Sequence, residues 1–362
     1  MSFNLIIGMG NTGCQIVKAA SKSSLLTDCK YYMIDSVTTQ MDMDTVSIKT
    51  IPIISDDKAG SGRSRERGAA MFDFHDKNDS FKELYADAEN AKTPVIVITS
   101  AAGGTGSGST PHLCKKLINA GIAVIPIIIC PAMRDPAAFH LNTNDLMVEL
   151  GAAGVETYCM FRNEYGKADY TEINNEVVTV LEIILGKRYS ETDKDSIDDS
   201  DLDVILSTPG RFIAVEVSAQ TPSQLKRVIT EKVLNGHQPC WTKSDSENNT
   251  FMTAFSLASP FAAGDFEEVF SEINSRIEHS FDEYRNVCDV DGICKASIIV
   301  AGLPRAELKT VDLDFQSAAG IGENINASSN RPSFMKKKGA VRSIKPTTTT
   351  SDLSALNQFN LE

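Results

Sequence analysis

The sequence lacks several features that would settle its class at once. It contains a single tryptophan, and none of its eight cysteines forms a C-x-x-C pair. Closely spaced cysteines are typical of zinc sites and of disulfide-linked secreted domains, so neither class is indicated. Several cysteines lie in apolar runs, as Cys130 does after Ile127–Ile129. We therefore expect free thiols that pack as small hydrophobic side chains in a reducing cytosol.

Long apolar runs are also missing. The longest, Ala120–Met133, is interrupted by Pro126 and Pro131 and is too short to span a bilayer. No secretory signal pattern opens the sequence. The expected location is therefore the cytoplasm, and no membrane partner is expected.

Positive charge is scarce in the chain as a whole. The 35 Lys and Arg are outnumbered by 48 Asp and Glu, which gives a formal net charge of −13. Such an acidic body repels nucleic acids and anionic membranes, so either partner would need a local basic segment. One basic run does occur after about Phe315, where periodicity fades and a flexible tail is predicted. Its six positive residues, with no acidic residue between them, are Arg331, Lys336, Lys337, Lys338, Arg342 and Lys345.

What the N-terminal half does contain is a series of apolar runs separated by helical stretches. The strand-like runs are Phe3–Ile7, Tyr31–Ile34, Val46–Ile54, Val95–Thr99, Ile122–Ile129 and Val155–Phe161. Continuous apolar strands of this kind predict an α/β fold with a parallel sheet covered by helices on both faces. Ligands of such sheets bind at the carboxyl ends of the strands.

The rest of the chain divides into three parts. Residues 170–185 form a helix that is apolar nearly all round, which predicts burial between two bodies. An acidic stretch, Ser190–Asp203, separates it from a second unit of strands and helices. The strands of that unit are predicted at Phe212–Val217 and Ser297–Val300, and its helices at Leu225–Leu234 and Phe266–Ile277. The predicted organisation is a nucleotide-binding domain (1–168), a long central helix (169–190), a smaller α+β C-terminal domain (191–315) and a flexible basic tail (316–362).

Two glycine-rich loops follow strand-like runs and open helices. The first glycine loop is Gly8–Gly13, and Asp35 ends the next strand about twenty residues later. Alone, this pattern resembles a dinucleotide-binding fingerprint. The second glycine loop is Ser100–Thr110, with four glycines within Gly103–Gly108. Glycines at such places let backbone N–H groups approach phosphates at the positive end of a helix.

The second glycine loop is not a P-loop. Gly103–Thr110 fits the P-loop spacing, but Ser109 stands where the lysine that reaches the β- and γ-phosphates is required. Two separate glycine loops suit a triphosphate held by backbone dipoles. The third loop, Ala59–Arg63, follows another strand and is interpreted either as a further phosphate contact or as a plain turn.

In order along the chain, these motifs resemble those of the tubulin/FtsZ superfamily. Gly103–Gly108 is similar to the signature loop of that family, and the first glycine loop resembles its first phosphate loop. Asp35–Ser36 resembles the second phosphate loop, and Gly60–Arg63 resembles the third, which senses the γ-phosphate. The resemblance covers roughly residues 3–302. It is greatest to the plasmid- and phage-borne tubulins, the TubZ and PhuZ groups.

The resemblance implies a guanine-nucleotide site. Asn163 corresponds to a nucleotide-contacting asparagine, and Asp135 stands where the family has a ribose-binding acid, although the aromatics and the downstream arginine of the FtsZ segment are missing. Tyr170 and Asn174, one helical turn apart, would stack on and read the base. The residues expected to bind the nucleotide are Gly10, Asn11, Thr12, Asp35, Gly60, Gly62, Gly103, Gly104, Thr105, Gly106, Ser107, Asp135, Asn163, Tyr170 and Asn174.

The resemblance also implies catalysis shared between subunits. Ser196–Asp201 resembles the family's N-x-D-x-x-D loop, with Ser196 in place of the asparagine. Asp198 and Asp201 would hold the catalytic positions, while other acidic residues nearby leave the register open. GTP would be hydrolysed, with Mg²⁺ balancing the phosphate charge, when the acidic loop of the next subunit closes over it in a head-to-tail filament. Such filaments would serve plasmid or phage DNA segregation, with the basic tail contacting a DNA-bound adaptor protein or DNA.

Two other classes remain open from the sequence alone. One is an NAD(P)-dependent oxidoreductase, which depends on Gly8, Gly10, Gly13 and Asp35 but leaves the second glycine loop unexplained. The other is a non-hydrolysing scaffold with the same fold, and the carboxylates of Asp198 and Asp201 argue against it.

Overall fold

The structure is a computed structural model. It describes residues 3–37, 48–54, 60–132, 134–163, 171–188, 197–238, 251–259, 267, 270–271, 280–289 and 292–304. Contacts divide the chain into a compact unit, Met1–Val311, and a second unit, Asp312–Glu362. The second unit, which includes the whole predicted tail, lies outside the described residues, as do Tyr170 and most of the predicted helix Phe266–Ile277. The boundaries of the predicted domains remain predictions.

The apolar runs of the N-terminal half form strands, and further strands follow in the C-terminal part. The described strands are β1 (Asn4–Met9), β2 (Cys29–Asp35), β3 (Ile48–Pro52), β4 (Lys92–Ser100), β5 (Val124–Cys130), β6 (Thr157–Arg162), β7 (Gly210–Ala219), β8 (Phe251–Ser259), β9 (Ser280–Asp289) and β10 (Cys294–Leu303).

All of these strands belong to one sheet, in the order β3-β2-β1-β4-β5-β6-β7-β10-β8-β9. In this order, each pair of neighbouring strands from β3 to β7 is parallel. β10 is antiparallel to both β7 and β8, and β8 is parallel to β9. The predicted α/β fold with a mainly parallel sheet is confirmed.

The C-terminal part continues the N-terminal sheet. β6 pairs with β7 over only three residue pairs, Thr157 with Gly210, Tyr158 with Arg211 and Cys159 with Phe212. β7 and β10, by contrast, are paired from Cys294 through to Leu303 with one irregularity. The β6–β7 pairing is therefore a short seam within a continuous sheet.

Helices cover both faces of the sheet. The described helices are α1 (Gly10–Ala20), α2 (Arg65–His75), α3 (Asp79–Asn90), α4 (Thr105–Asn119), α5 (Ala137–Ala152), α6 (Thr171–Ile184), α7 (Asp199–Leu206) and α8 (Pro222–Asn235). Successive side chains of a strand point to opposite faces. Ile96 and Ile98 accordingly join the core beneath α1 and α6, whereas Val95 and Val97 join the core beneath α2 to α5.

The predicted apolar helix is present as α6. It buries an apolar stripe that includes Val177, Val180 and Leu181, and it packs against α1 and β7. Its burial between the first strands and the C-terminal part agrees with the sequence prediction. The described cysteines are not joined in disulfides, and most of them are buried, although Cys29 and Cys288 are only half-buried.

Candidate functional site

The loops after β1 and β4 meet at the carboxyl edge of the sheet. β1 lies between β2 and β4: the chain runs from β1 outward to β2 and β3 and then returns to the other side of β1 as β4, so the strand order reverses there. Such a reversal of strand order opens a crevice where ligands of α/β sheets bind. Gly10 has φ 70°, and a Cβ atom added to it would lie 2.9 Å from the amide nitrogen of Gly106. The first and second glycine loops are thus in backbone contact, and the residues predicted to bind together lie together.

The third loop packs against the second. A Cβ atom on Gly104 would lie 2.6 Å from the carbonyl carbon of Arg63 and 2.7 Å from the nitrogen of Ser64. Gly60 and Gly62 have φ of 81° and 62°, a left-handed backbone that glycine adopts readily. Gly103 differs from its neighbours, because a Cβ atom added to it would meet none of the described residues within 4 Å. Open space therefore faces the second glycine loop at Gly103.

A chain of hydroxyl groups connects three of these loops. The Thr105 hydroxyl lies 2.8 Å from that of Ser36 and donates to that of Ser61 at 3.1 Å. All three side chains are buried. The segments after β2, β3 and β4 are held together by these contacts. Ser36 and Ser61 were not among the predicted binding residues, although both lie within the predicted loops.

Asp35 ends β2 and is almost wholly buried, at 3% exposure. One carboxylate oxygen accepts from the Ser36 amide at 2.7 Å, while the other has no hydrogen-bond partner among the described residues. Burial raises the pKa of Asp35, and the hydrogen bonds from Ser36 oppose that shift. The second oxygen is thus a buried acceptor without a partner among the described residues at this edge of the sheet.

The residues here fit a magnesium ion held largely by phosphates. Mg²⁺ prefers oxygen ligands and is usually bound by one or two carboxylates, waters and substrate phosphates. Asp35 offers an unpartnered oxygen, and Ser36 and Thr105 offer neighbouring hydroxyls. Across the described part of the chain, no group of three or more His, Cys, Asp or Glu is placed to hold a metal without such help.

Arg65 fixes the start of α4. This arginine is 6% exposed, and its Nη1 donates to the carbonyl of Ser107 at 2.8 Å and to its hydroxyl at 2.5 Å. Its Nη2 forms an ion pair with Glu149 of α5. The Ser107 hydroxyl, predicted to contact nucleotide, is therefore engaged by Arg65, and the backbone N–H remains for a ligand.

Asn142 of α5 holds the second and third loops together. Its Nδ2 donates to the carbonyls of Ala102, Gly103 and Arg63 at 3.0, 3.2 and 3.3 Å. The carbonyl oxygens, which would repel an anion, are thus turned towards α5. The first N–H groups of a helix such as α4 have no partner within the helix. Together, the loops and the start of α4 provide an arrangement suited to an anion. Neither Asn142 nor Arg65 was found from the sequence, because their partners are carbonyls distant along the chain.

The other predicted binding residues lie along the same edge. Asn11 and Thr12 are in the first turn of α1. Asp135 follows β5, where its carboxylate accepts from the Ala132 amide at 2.8 Å and closes a turn. Asn163 follows β6, and Asn174 lies half-buried in the first turns of α6. Tyr170, the predicted stacking residue, is outside the described residues.

The two predicted catalytic aspartates form a capping box. Asp198 accepts from the amides of Ser200 and Asp201 at 2.7 and 3.0 Å, and Asp201 accepts from the amide of Asp198 at 3.0 Å. The sequence predicted a loop through these residues. Asp201 instead lies in the first turn of α7, because acidic residues satisfy the free N–H groups at a helix start.

The capping box lies at the edge of the sheet opposite to the glycine loops. Asp199 accepts from Lys92 at 3.0 Å, and Lys92 is the first residue of β4. The last residue of β4, Ser100, leads into the second glycine loop. At about 3.3 Å per residue, the two ends of this strand are roughly 26 Å apart. Within one molecule, the carboxylates and the glycine loops are therefore well separated.

In the described part of the chain, no helix combines the length and the apolar character needed to cross a membrane.

Comparison with solved structures shows a shared fold. TubZ from Bacillus thuringiensis serovar israelensis, in a GTPγS-form protofilament, is 16% identical with a TM-score of 0.68, over 90% of this chain and 95% of that one. CetZ2 from Haloferax volcanii, in a GTPγS-bound protofilament, is 17% identical with a TM-score of 0.66, over 85% and 95%. A mutant of FtsZ from M. jannaschii is 14% identical with a TM-score of 0.64, over 83% and 91%.

A search of curated proteins gave no match. Among protein families, residues 4–171 match the Tubulin/FtsZ family, GTPase domain. This span runs from β1 to the start of α6 and includes all three loops at the carboxyl edge. Residues 4–171, somewhat under half of the chain, are thus similar to the GTPase domain of the Tubulin/FtsZ family, and the described part of the chain shares its fold with the TubZ, CetZ2 and FtsZ structures.

Proposed function

We propose that this protein binds GTP at the carboxyl edge of its sheet, assembles head to tail into filaments and hydrolyses GTP between successive subunits. The observation that carries the proposal is the separation of the glycine loops from the capping box by the length of β4. Asp198 and Asp201 lie too far away to act on a nucleotide bound by their own molecule. If molecules stacked head to tail, the capping box of one molecule would lie against the glycine loops, and the bound nucleotide, of the next.

Binding at the carboxyl edge uses backbone donors and hydroxyls. The open space at Gly103 and the start of α4 would receive the phosphates, because helix N-termini favour anions. Asn163, Asn174 and Tyr170 would contact the guanosine, and Asp135 would contact the ribose. This part of the proposal is supported by the family of residues 4–171 and by the position of the predicted residues at one edge.

Hydrolysis would depend on the next subunit. Its Asp198 and Asp201 would orient the attacking water and accept its proton in line with the terminal phosphate. Magnesium, when bound, would neutralise phosphate charge beside Asp35 and Ser36. A contact that joins two different surfaces and does not close on itself continues indefinitely, which gives a filament.

We further propose that the filaments serve the segregation or positioning of plasmid or phage DNA. The support is the run of six positive charges between Arg331 and Lys345 in a chain of net charge −13. Such a run attracts DNA or an acidic face of a DNA-bound adaptor protein. Deletion of the residues after Phe315 should abolish adaptor or DNA binding while leaving assembly intact. Unchanged binding by the deletion variant would reject this role for the tail.

The central experiment combines binding, light scattering and hydrolysis. We expect calorimetry to detect GTP binding but no NAD binding, and light scattering to rise only with GTP. Hydrolysis per subunit should rise steeply with protein concentration, because each site needs a neighbour. NAD binding instead of GTP binding would favour an oxidoreductase, and assembly without hydrolysis would favour a scaffold. A hydrolysis rate per subunit that is independent of concentration would show that the site is complete within one molecule.

A further inference from the structure

The pairing of β6 with β7 stops before the two strands reach the carboxyl edge of the sheet. Cys159 with Phe212 is the last pair of the register, although β6 continues to Arg162 and β7 to Ala219. Neighbouring strands normally satisfy the backbone N–H and C=O groups of one another. Beyond the last pair, the backbone groups that face the seam therefore need other partners.

The dipeptide His237–Gln238, which we call the seam bridge, supplies such partners. The side-chain amide of Gln238 pairs with both backbone groups of Ala214 in β7: its Nε2 donates to the carbonyl at 2.9 Å, and its Oε1 accepts from the amide at 3.1 Å. The same Oε1 accepts from the Cys159 thiol of β6 at 3.1 Å. Gln238 is 3% exposed. Its amide, with one donor and one acceptor, thus takes the place of a strand residue between β6 and β7.

His237 joins the seam bridge to β6 and to α6. Its carbonyl accepts from the amide of Arg162, the last residue of β6, at 2.7 Å. Its Nδ1 lies 2.7 Å from one carboxylate oxygen of Glu176 in α6, and the other oxygen accepts from Lys232 of α8 at 2.7 Å. His237 is buried. A single short segment after α8 therefore contacts β6, β7 and α6.

Two of these contacts lie next to residues assigned to the nucleoside. Asn163 directly follows Arg162, and Asn174 precedes Glu176 by two residues in α6. The two asparagines belong to different elements, so the spacing between them depends on what joins the end of β6 to α6. The seam bridge makes that connection through the carbonyl and the side chain of His237.

We propose that the seam bridge positions Asn163 and Asn174 for the nucleoside part of the bound nucleotide. The assignment rests on the proposed function, and the bridge acts through the two asparagines without touching the nucleotide. Hydrogen bonds weaken steeply when their geometry is lost, so a shift of one asparagine against the other would weaken the nucleoside contacts. The phosphates are assigned to the glycine loops, which Asn142 holds instead. Loss of the bridge should therefore affect the nucleoside and spare the phosphates.

Gln238→Met tests the assignment, because methionine removes the amide and still fills the buried space. Calorimetry below the concentration at which assembly begins would measure two ligands, GTP and inorganic tripolyphosphate, which has the phosphate chain but no nucleoside. We expect the affinity for GTP to fall about tenfold, the effect of losing one or two hydrogen bonds. The affinity for tripolyphosphate should change less than twofold. A role in stability alone would not weaken one ligand selectively.

Asn286→Leu is the matched control. It also removes a buried amide from the C-terminal part, but at β9, the far edge of the sheet, where Asn286 donates to Ser256 at 3.1 Å. Its stability should fall, while both affinities equal those of the wild type. His237→Ala removes the contact with Glu176 and keeps the carbonyl, so it should weaken GTP binding alone, by less than Gln238→Met does. His237→Asn, whose amide can donate to Glu176, should recover part of that loss.

Wild-type affinity for GTP in Gln238→Met would overturn the assignment. An equal loss of affinity for GTP and tripolyphosphate would also overturn it, since the bridge would then support the whole site. If Gln238→Met does not fold, the same comparison in His237→Ala decides. A wild-type protein that binds neither ligand would refute the proposed function itself, which is a separate outcome.

Discussion

Gly10 and Gly106 pack backbone against backbone, so closely that a Cβ atom on Gly10 would lie 2.9 Å from the Gly106 amide nitrogen. Through this contact the first and second glycine loops form one surface at the point where the strand order reverses. The glycines of this surface do not all have the same role, because some are packed tightly and Gly103 faces open space. The difference can be tested.

Gly106→Ala should mainly lower the stability of the protein, whereas Gly103→Ala should mainly weaken GTP binding. A Cβ atom on Gly106 would lie 2.7 Å from the Thr99 hydroxyl oxygen, and overpacking of this kind costs about 1–3 kcal/mol of unfolding free energy. Gly103→Ala should change stability by less than about 0.5 kcal/mol. Its methyl group would instead enter the space assigned to phosphate and weaken GTP binding by roughly tenfold or more. Thermal unfolding and GTP titration measure both effects. Full GTP affinity in Gly103→Ala would place the nucleotide elsewhere.

Asn142→Asp should weaken GTP binding strongly. The substitution keeps the shape of the side chain but replaces the amide donor with a negative charge facing three carbonyls. We expect a loss of about 1–3 kcal/mol in stability and at least a tenfold loss in GTP affinity, because the second and third loops separate. Asn144→Asp adds the same charge to α5, but two residues further on and therefore on a different face. Equal effects of the two variants on GTP affinity would show that Asn142 acts through charge alone.

Replacement of the capping-box aspartates by asparagine should separate their structural and catalytic roles. Asparagine is as good an N-cap residue as aspartate, so Asp198→Asn should keep α7 intact. If the carboxylates act on water, hydrolysis by filaments of Asp198→Asn or Asp201→Asn should fall about 10²- to 10⁴-fold. GTP binding by the isolated molecule should remain unchanged. Asp203→Asn, an exposed position later in the same helix, is the control. Wild-type hydrolysis rates in both capping-box variants would remove them from catalysis.

The environment of Glu176 leads to a prediction of how the stability of the protein depends on pH. Burial acts to raise the pKa of Glu176, but the hydrogen bonds from His237 and Lys232, with their charges, outweigh burial and lower it. The distances to the two partners are both 2.7 Å. A lowered folded-state pKa means that the stabilisation is complete above the unfolded value, about 4.3 for glutamate. It is lost as pH falls from there through the folded-state pKa.

Glu176→Gln should therefore be less stable than the wild type at pH 7, by about 1–3 kcal/mol. The difference should shrink as the pH falls below about 4.3. Urea unfolding at several pH values measures it, and Glu172→Gln, exposed on the same helix, is the control. A stability difference that does not depend on pH would rule out the charged network.

The strands that position the site could be predicted because they are buried on both faces. Every residue of Val124–Cys130 is buried, for example, and the corresponding sequence is apolar throughout. β9 could not be found this way, since it lies at the edge of the sheet and contains Asp282, Glu283 and Arg285. α2 was missed as well, because it buries Arg65 and contains Gly68 instead of a clear apolar stripe.

The loops of the site were predictable from glycines at strand ends, whereas the side chains that fix those loops were not. Asn142 and Arg65 act on carbonyls of residues more than thirty-five positions away, so no local pattern marks them. The left-handed backbone of Arg63 could not be predicted from the sequence either, because arginine has no preference for this conformation. The hydroxyl chain through Ser36, Thr105 and Ser61 depends on how three connections fold over the sheet.

The short seam between β6 and β7 gives the molecule a mechanical weak point. Three residue pairs join these strands, fewer than in any other described pairing of the sheet. Bending or shear between the glycine-loop end and the β8–β9–β10 end would concentrate at this seam, since longer pairings on both sides resist it. Movement at this seam would be carried by β7 and by α6, which packs against β7 and contains Asn174, so that strain across the sheet would reach the carboxyl edge through this helix.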